Sequence, residues 1–138
     1  MKDELFLRGA QVPMTKEAVR ALALAKLELH RARHLIDIGA GTGSVSIEAA
    51  LQNPALRVTA IERQADALRL LAENRQRFGC DNIAIVAGVA PLAVADKADA
   101  IFMGGQRRPP DGADRLVAGA AASWRPAGDD FYFAGKPS

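Results

Sequence analysis

The sequence predicts an α/β fold, a parallel sheet with helices packed on both faces. Three observations carry that expectation. Short apolar runs alternate with amphipathic stretches along residues 16–103. The connections between them are short, as right-handed β–α–β crossovers require. One apolar run closes on Asp37 and Ile38 and leads directly into a glycine-rich turn, Gly39-Ala40-Gly41-Thr42-Gly43, followed by a helical pattern. At 138 residues the chain has the length of one domain and is too short for two.

Each element follows from its own pattern. Residues 1–13 carry few periodic apolar positions, and Pro13 and Thr15 close them. Thr15 with Glu17 marks a helix start, and Val19, Leu22, Ala23 and Leu27 recur at helical spacing over 16–29. Residues 35–38 form a short apolar strand. Residues 44–51 read as a largely buried helix, stopped by Asn53-Pro54. A second strand spans 58–61. A helix over 64–78 places Ala67, Leu68, Leu71 and Phe78 on one side, with Gly79 as its C-terminal cap. Ile83, Ile85 and Ala87 alternate in a third strand over 82–87, and 88–91 form a turn. A fourth strand spans 99–103 and ends in Gly104-Gly105.

Composition narrows the class. Hydrophobic residues make up 49% and charged residues 25%, a globular profile. The net charge of +2 is spread over helix faces apart from Arg107-Arg108, which gives no basic patch and no case for nucleic-acid binding. The single cysteine, Cys80, excludes an intrachain disulfide and fits a reducing compartment; its role is that of a small apolar residue. The Met1-Lys2-Asp3-Glu4 start lacks the apolar core of a signal peptide, and no run is long enough to span a membrane, so a cytoplasmic location is expected. His30 and His34 fall between helix and strand and read as surface histidines; no metal site is expected.

In a parallel sheet, ligands gather at the C-terminal strand ends, and Asp37 to Gly43, Glu62, 88–91 and Gly104-Gly105 all fall there. Glu62 follows the glycine turn by about twenty positions, where a carboxylate can accept hydrogen bonds from ribose hydroxyls. The spacing is not that of the dinucleotide fingerprint, because Gly39, Gly41 and Gly43 alternate. Ser44 stands next, and no basic residue occupies the place of a phosphate-cradling lysine. This favours a nucleoside without phosphates. Asp-x-Gly-x-Gly-x-Gly followed by an acid resembles the pattern of class I S-adenosylmethionine-dependent methyltransferases, with their Rossmann-like fold.

The order of motifs is more specific. FLRGAQVPMTKEAVR from Phe6 to Arg20, then DIGAGTG, AIER, ENRQRFGCDNIAIVAG and FMGG resemble the CbiT-type cobalt-precorrin-6B C15-methyltransferases (decarboxylating) from about residue 2 to Gly105. The resemblance implies methyl transfer from S-adenosylmethionine to C15 of the corrinoid substrate cobalt-precorrin-6B. It also implies loss of the ring C acetate carboxylate, giving cobalt-precorrin-7, and a homotetramer. Thr15 would touch the cofactor, unless it only caps its helix. Gly39, Ala40, Gly41, Thr42 and Gly43 would pass under the methionine and ribose, Glu62 would hold the ribose hydroxyls, and Ala90 would lie against the adenine. Val89 stands where many methyltransferases carry an Asp. Gly104 and Gly105 would border the substrate. No residue stands out as a general base. The donor is already a sulfonium and the macrocycle can serve as electron sink, so positioning and desolvation would supply much of the rate.

After Gly105 the resemblance ends. Pro109-Pro110 breaks any helix, and the binary pattern is lost through Trp124 to Ser138. Residues 1–105 read as the cofactor-binding domain and 106–138 as a divergent tail. With suitable synonymous codons a shift of one base can give a family-like continuation, in which Trp124 must become glycine; a frameshift is the expected cause. On that reading the C-terminal strands are incomplete and the chain has lost its substrate half. Two other readings stay open: a methyltransferase for RNA, protein or another small molecule, and a cofactor-binding fragment without activity. A dehydrogenase is disfavoured by the glycine spacing.

Overall fold

A computed structural model of the chain describes residues 1–88, 98–104, 125–127 and 131–135, the last two stretches and Gly104 as backbone only. Three α-helices are present among them, α1 (Glu17–Leu27), α2 (Ser44–Gln52) and α3 (Ala65–Phe78), with short 3-10 turns at Asp3–Leu5 and Leu29–Arg31. The strands are β1 (His34–Ile38), β2 (Arg57–Glu62), β3 (Ile83–Ala87), β4 (Ala100–Gly104), β5 (Arg125–Ala127) and β6 (Phe131–Gly135). They form one sheet in the order β3-β2-β1-β4-β6-β5. The first four are parallel, as the alternating pattern predicted, and β6 pairs antiparallel with β4.

Topology fixes the layering. The crossovers from β1 to β2 and from β2 to β3 step in the same direction, so with the same right hand they put α2 and α3 on one face. The contacts of α1 with α2 and of α2 with α3 complete a single layer. Helices expected on the opposite face fall outside the described residues. The core lies between this layer and the sheet, and includes Leu24, Leu27, Leu35, Ile47, Leu56, Val58, Leu71, Ile83 and Phe102. No helix among the described residues is long and apolar enough to cross a membrane.

Several boundaries differ from the sequence expectation, each for a local reason. α1 ends at Leu27 rather than at 29, because Glu28 takes a left-handed conformation (φ 49°) and Leu29 turns into the core. Lys16 occupies the N-cap position and no side chain caps the helix, so the capping role considered for Thr15 is absent. β1 begins one residue earlier, at His34, which is a buried residue and not a surface one. Its strand is central, flanked by β2 and β4, and its Nε2 lies 2.7 Å from Thr59 Oγ1. β2 runs one residue further at each end. Gly79 closes α3 in the left-handed region (φ 63°), as expected.

Two features were not assigned from sequence. Residues 1–13 form a strap packed on the helices, with Phe6 and Val12 buried. Phe131 to Gly135 add a strand beside β4; the aromatic Phe-Tyr-Phe run suits a pleated surface, although it lies in the segment whose pattern breaks down.

Candidate functional site

The strand register lines up one edge of the sheet. Ile38 pairs with Ile61 and with Met103, and Ile61 pairs with Val86. One step further, Glu62 pairs with Ala87. The C-terminal ends of β1 to β4 are therefore level, and the glycine turn emerges from β1 at this edge.

The turn is held by its backbone. The N–H groups of Gly39 and Ala40 donate to the Ile61 carbonyl at 2.9 and 3.0 Å, and Gly43 N–H donates to Ala40 O at 2.9 Å. Gly39, Gly41 and Gly43 all have positive φ, at 69°, 58° and 86°. Two of them also make room for protein atoms. A Cβ on Gly41 would sit 2.6 Å from the Pro13 carbonyl oxygen, and one on Gly43 would sit 2.4 Å from Leu71 Cδ1. The glycines thus let the strap and α3 close on the turn, a structural demand that exists without any ligand.

Glu62 is buried at the end of β2. Its Oε1 accepts the Gly41 N–H at 2.9 Å, and its Oε2 accepts the N–H groups of Arg63 and Gln64, both at 2.9 Å. The carboxylate therefore ties the glycine turn to the β2–α3 connection. Asp37 performs a related task one strand away. Gly43 at the N-cap of α2 has no side chain to offer, and Asp37 Oδ2 instead accepts the Ser46 hydroxyl at 2.6 Å. The Ser46 N–H also bonds this carboxylate, so a strand residue caps the helix from outside it. Burial drives the Asp37 pKa from 3.8 up to about 6, against the Ser46 hydrogen bonds and with a smaller push from the Glu62 charge.

Sequence reasoning missed the side chains that hold this arrangement from behind. Asn74 of α3 is fully buried and bonds both Leu7 of the strap and Thr42 of the turn. Arg20 of α1 is also fully buried. It pairs with Asp3 (2.7 Å) and Glu48 (3.4 Å), donates to the carbonyls of Met1 and Thr15, and stacks 5.0 Å over the Phe6 ring. A signal for both exists in the sequence. Arg20 lies in register with Ala23, Leu24 and Leu27, and Asn74 with Ala67, Leu70 and Leu71, so each is a polar residue inside an apolar helical stripe.

The predicted site residues divide as follows. Gly39 to Gly43 and Glu62 come together at the sheet edge. Gly104 ends β4 on the same edge. Thr15 is half-buried just after the strap, with its carbonyl on Arg20. Val89, Ala90 and Gly105 lie outside the described residues. Cys80 packs in the core, and burial pushes its thiol above the ordinary value.

A sheet edge bearing an acid and a glycine turn, on this strand order, is the arrangement of Rossmann-like methyltransferases, and solved structures carry the same fold. The precorrin-8W decarboxylase of Methanobacterium thermoautotrophicum superposes with a TM-score of 0.70 at 21% identity, covering 100% of both chains. The precorrin-6y C5,15-methyltransferase of Geobacter metallireducens gives 0.68 at 23% identity, covering 97% of this chain and 94% of that one. The family model described as the precorrin methyltransferase domain matches residues 4–127, and the chain belongs to that family. It is 77% identical over 105 residues to the cobalt-precorrin-6B C(15)-methyltransferase (decarboxylating) of Salmonella typhimurium. That alignment covers 76% of this chain and 55% of the relative, so the chain spans about half of the relative's length.

Proposed function

We propose that this chain binds S-adenosylmethionine at the glycine turn and serves C15 methylation of cobalt-precorrin-6B, with loss of the ring C acetate carboxylate. The observation that carries the reading is the Glu62 carboxylate, buried beside the turn at the edge where the four parallel strands end. A carboxylate accepts about four hydrogen bonds, and backbone N–H groups take three here, which leaves capacity for a ribose hydroxyl. An acid in this position repels phosphates and suits a nucleoside. The Thr42 hydroxyl is buried in the turn without a hydrogen-bond partner among the described residues, a polar group that a ligand can satisfy. The residues present therefore fit the cofactor.

When bound, S-adenosylmethionine supplies a methyl group on a positively charged sulfur. The chain's contribution is to bind and orient. Gly39 and Ala40 form the more open half of the turn, while Gly41 to Gly43 are buried against strap and helix. Glu62 would hold the ribose hydroxyls, Thr15 would touch the cofactor and Gly104 would border the corrinoid; the contacts expected of Ala90 and Gly105 fall outside the described residues. The 77% identity to the Salmonella cobalt-precorrin-6B C(15)-methyltransferase (decarboxylating) supports the substrate assignment. The test is incubation of the purified chain with cobalt-precorrin-6B and S-adenosylmethionine. Equimolar S-adenosylhomocysteine and carbon dioxide support the reading; folded chain that binds the cofactor and methylates RNA or protein instead would overturn it. A homotetramer and a cytoplasmic location belong to the same proposal.

We infer further that residues 106–138 derive from a shift of reading frame and form no part of the family's substrate half. The Salmonella relative aligns over 105 of the 138 residues, while the family match runs on to residue 127. On this reading the chain holds the cofactor and turns over poorly. Sequencing the gene with its downstream DNA tests it, and the absence of a family-like continuation in the shifted frame would overturn it.

A further inference from the structure

The Asn74 side chain is the junction of three separate chain segments. It stands on α3 and is wholly buried. Its Oδ1 accepts the Leu7 N–H at 2.7 Å, and its Nδ2 donates to Leu7 O at 3.0 Å and to Thr42 O at 2.9 Å. The amide thus pairs with both backbone groups of Leu7, as a neighbouring strand would, and spends its second N–H on the turn. Six residues beyond Leu7, the Pro13 carbonyl lies against Gly41. The strap therefore meets the turn directly at one point and through Asn74 at another. From the opposite side Glu62 grips Gly41, the immediate neighbour of Thr42.

We propose that Asn74 is a positioning residue of the cofactor site, fixing the glycine turn to the N-terminal strap so that ligand binding and strap order are coupled. The inference rests on the cofactor reading given above. Chemistry selects the amide. An Asp here keeps the acceptor for Leu7 N–H but turns an anionic oxygen toward two carbonyls, Leu7 O and Thr42 O. A Leu of similar size leaves the buried Thr42 carbonyl and the part-buried N–H and carbonyl of Leu7 without this partner. Either change frees the Thr42 carbonyl and loosens the turn between two fixed points.

The experiment is titration of the full chain and of its N74D and N74L variants with S-adenosylhomocysteine. Circular dichroism confirms the folded state of each, and amide hydrogen exchange is followed with and without ligand. The expected result is at least tenfold weaker binding by folded N74D and N74L. In the wild type, ligand should raise protection at Leu7 together with residues 41–43. A merely structural Asn74 would lower the unfolding midpoint and leave the affinity of the folded fraction within twofold, which overturns the proposal. Should the variants fail to fold, the wild-type exchange decides: protection confined to the turn, with Leu7 unmoved, overturns the coupling. A folded wild type that does not bind at all removes the cofactor reading itself, and this inference with it, an outcome distinct from normal binding by the variants.

Discussion

Replacing Asp37 by Asn should change how stability depends on pH, in a direction opposite to ordinary acid denaturation. Asp37 is buried at the end of β1, with its carboxyl raised from 3.8 to about 6 chiefly by burial. A raised carboxylate binds protons more tightly in the folded than in the unfolded chain. Its contribution to stability is therefore full below pH 3.8 and is lost as pH rises through 6. The displacement corresponds to ~3 kcal/mol, at about 1.4 kcal/mol per pH unit. Asn stays neutral throughout, and its oxygen can still take the hydrogen bonds of Ser46. Its amide N–H groups need new acceptors, which sets a constant offset and not a slope. Urea unfolding of wild type and D37N across about pH 4 to 8 cancels the other carboxylates in the difference. N74 variants, by contrast, carry no such expectation. The D37N variant's stability relative to wild type should rise by about 2 to 2.5 kcal/mol over that range, somewhat more than half of it between pH 5 and 8. A difference that stays flat with pH, or that falls as pH rises, would refute the burial argument for Asp37.

Three further outcomes follow from the packing. G43A should cost more than G79A: its Cβ would meet Leu71 Cδ1 at 2.4 Å, whereas nothing lies within 4 Å of Gly79. Since both glycines have positive φ, G79A should lose about 1 kcal/mol and G43A about 2 kcal/mol or more, read by thermal or urea unfolding. R20M should destabilise the fold by ~2–4 kcal/mol, because Asp3 and two carbonyls lose a fully buried partner while Glu48 keeps the Met1 ammonium at 2.7 Å; equal urea midpoints would contradict this. E62Q should loosen the turn even without ligand, since a single amide oxygen cannot serve both Gly41 N–H and the pair at Arg63 and Gln64. Faster hydrogen exchange at Gly41 in the free variant is the expected reading.

The parallel core was legible because its signals are local. Apolar runs of strand length, Gly79 as a cap and the glycine turn each state their own conformation, and the register carried Glu62 to the turn as the spacing suggested. What stayed hidden depends on contacts distant in sequence. His34 looked like a connector residue because nothing nearby reveals that β1 is central and that Thr59 waits across the sheet. The strap lacks periodicity because its order comes from Arg20 and Asn74, which belong to other elements. The glycines were read as clearance for a ligand, and the structure adds a second demand on them, from Pro13 and Leu71. Phe131 to Gly135 sit in a segment without pattern, and only pairing with β4 makes them a strand.

The central claim is that the glycine turn and Glu62 hold S-adenosylmethionine. Calorimetric titration of the purified chain with S-adenosylhomocysteine, with Glu62→Ala alongside, tests it most directly. The expected result is saturable binding at one site, weakened at least tenfold in the variant. A folded chain that takes up no ligand, or a variant that binds as tightly as the wild type, would contradict it.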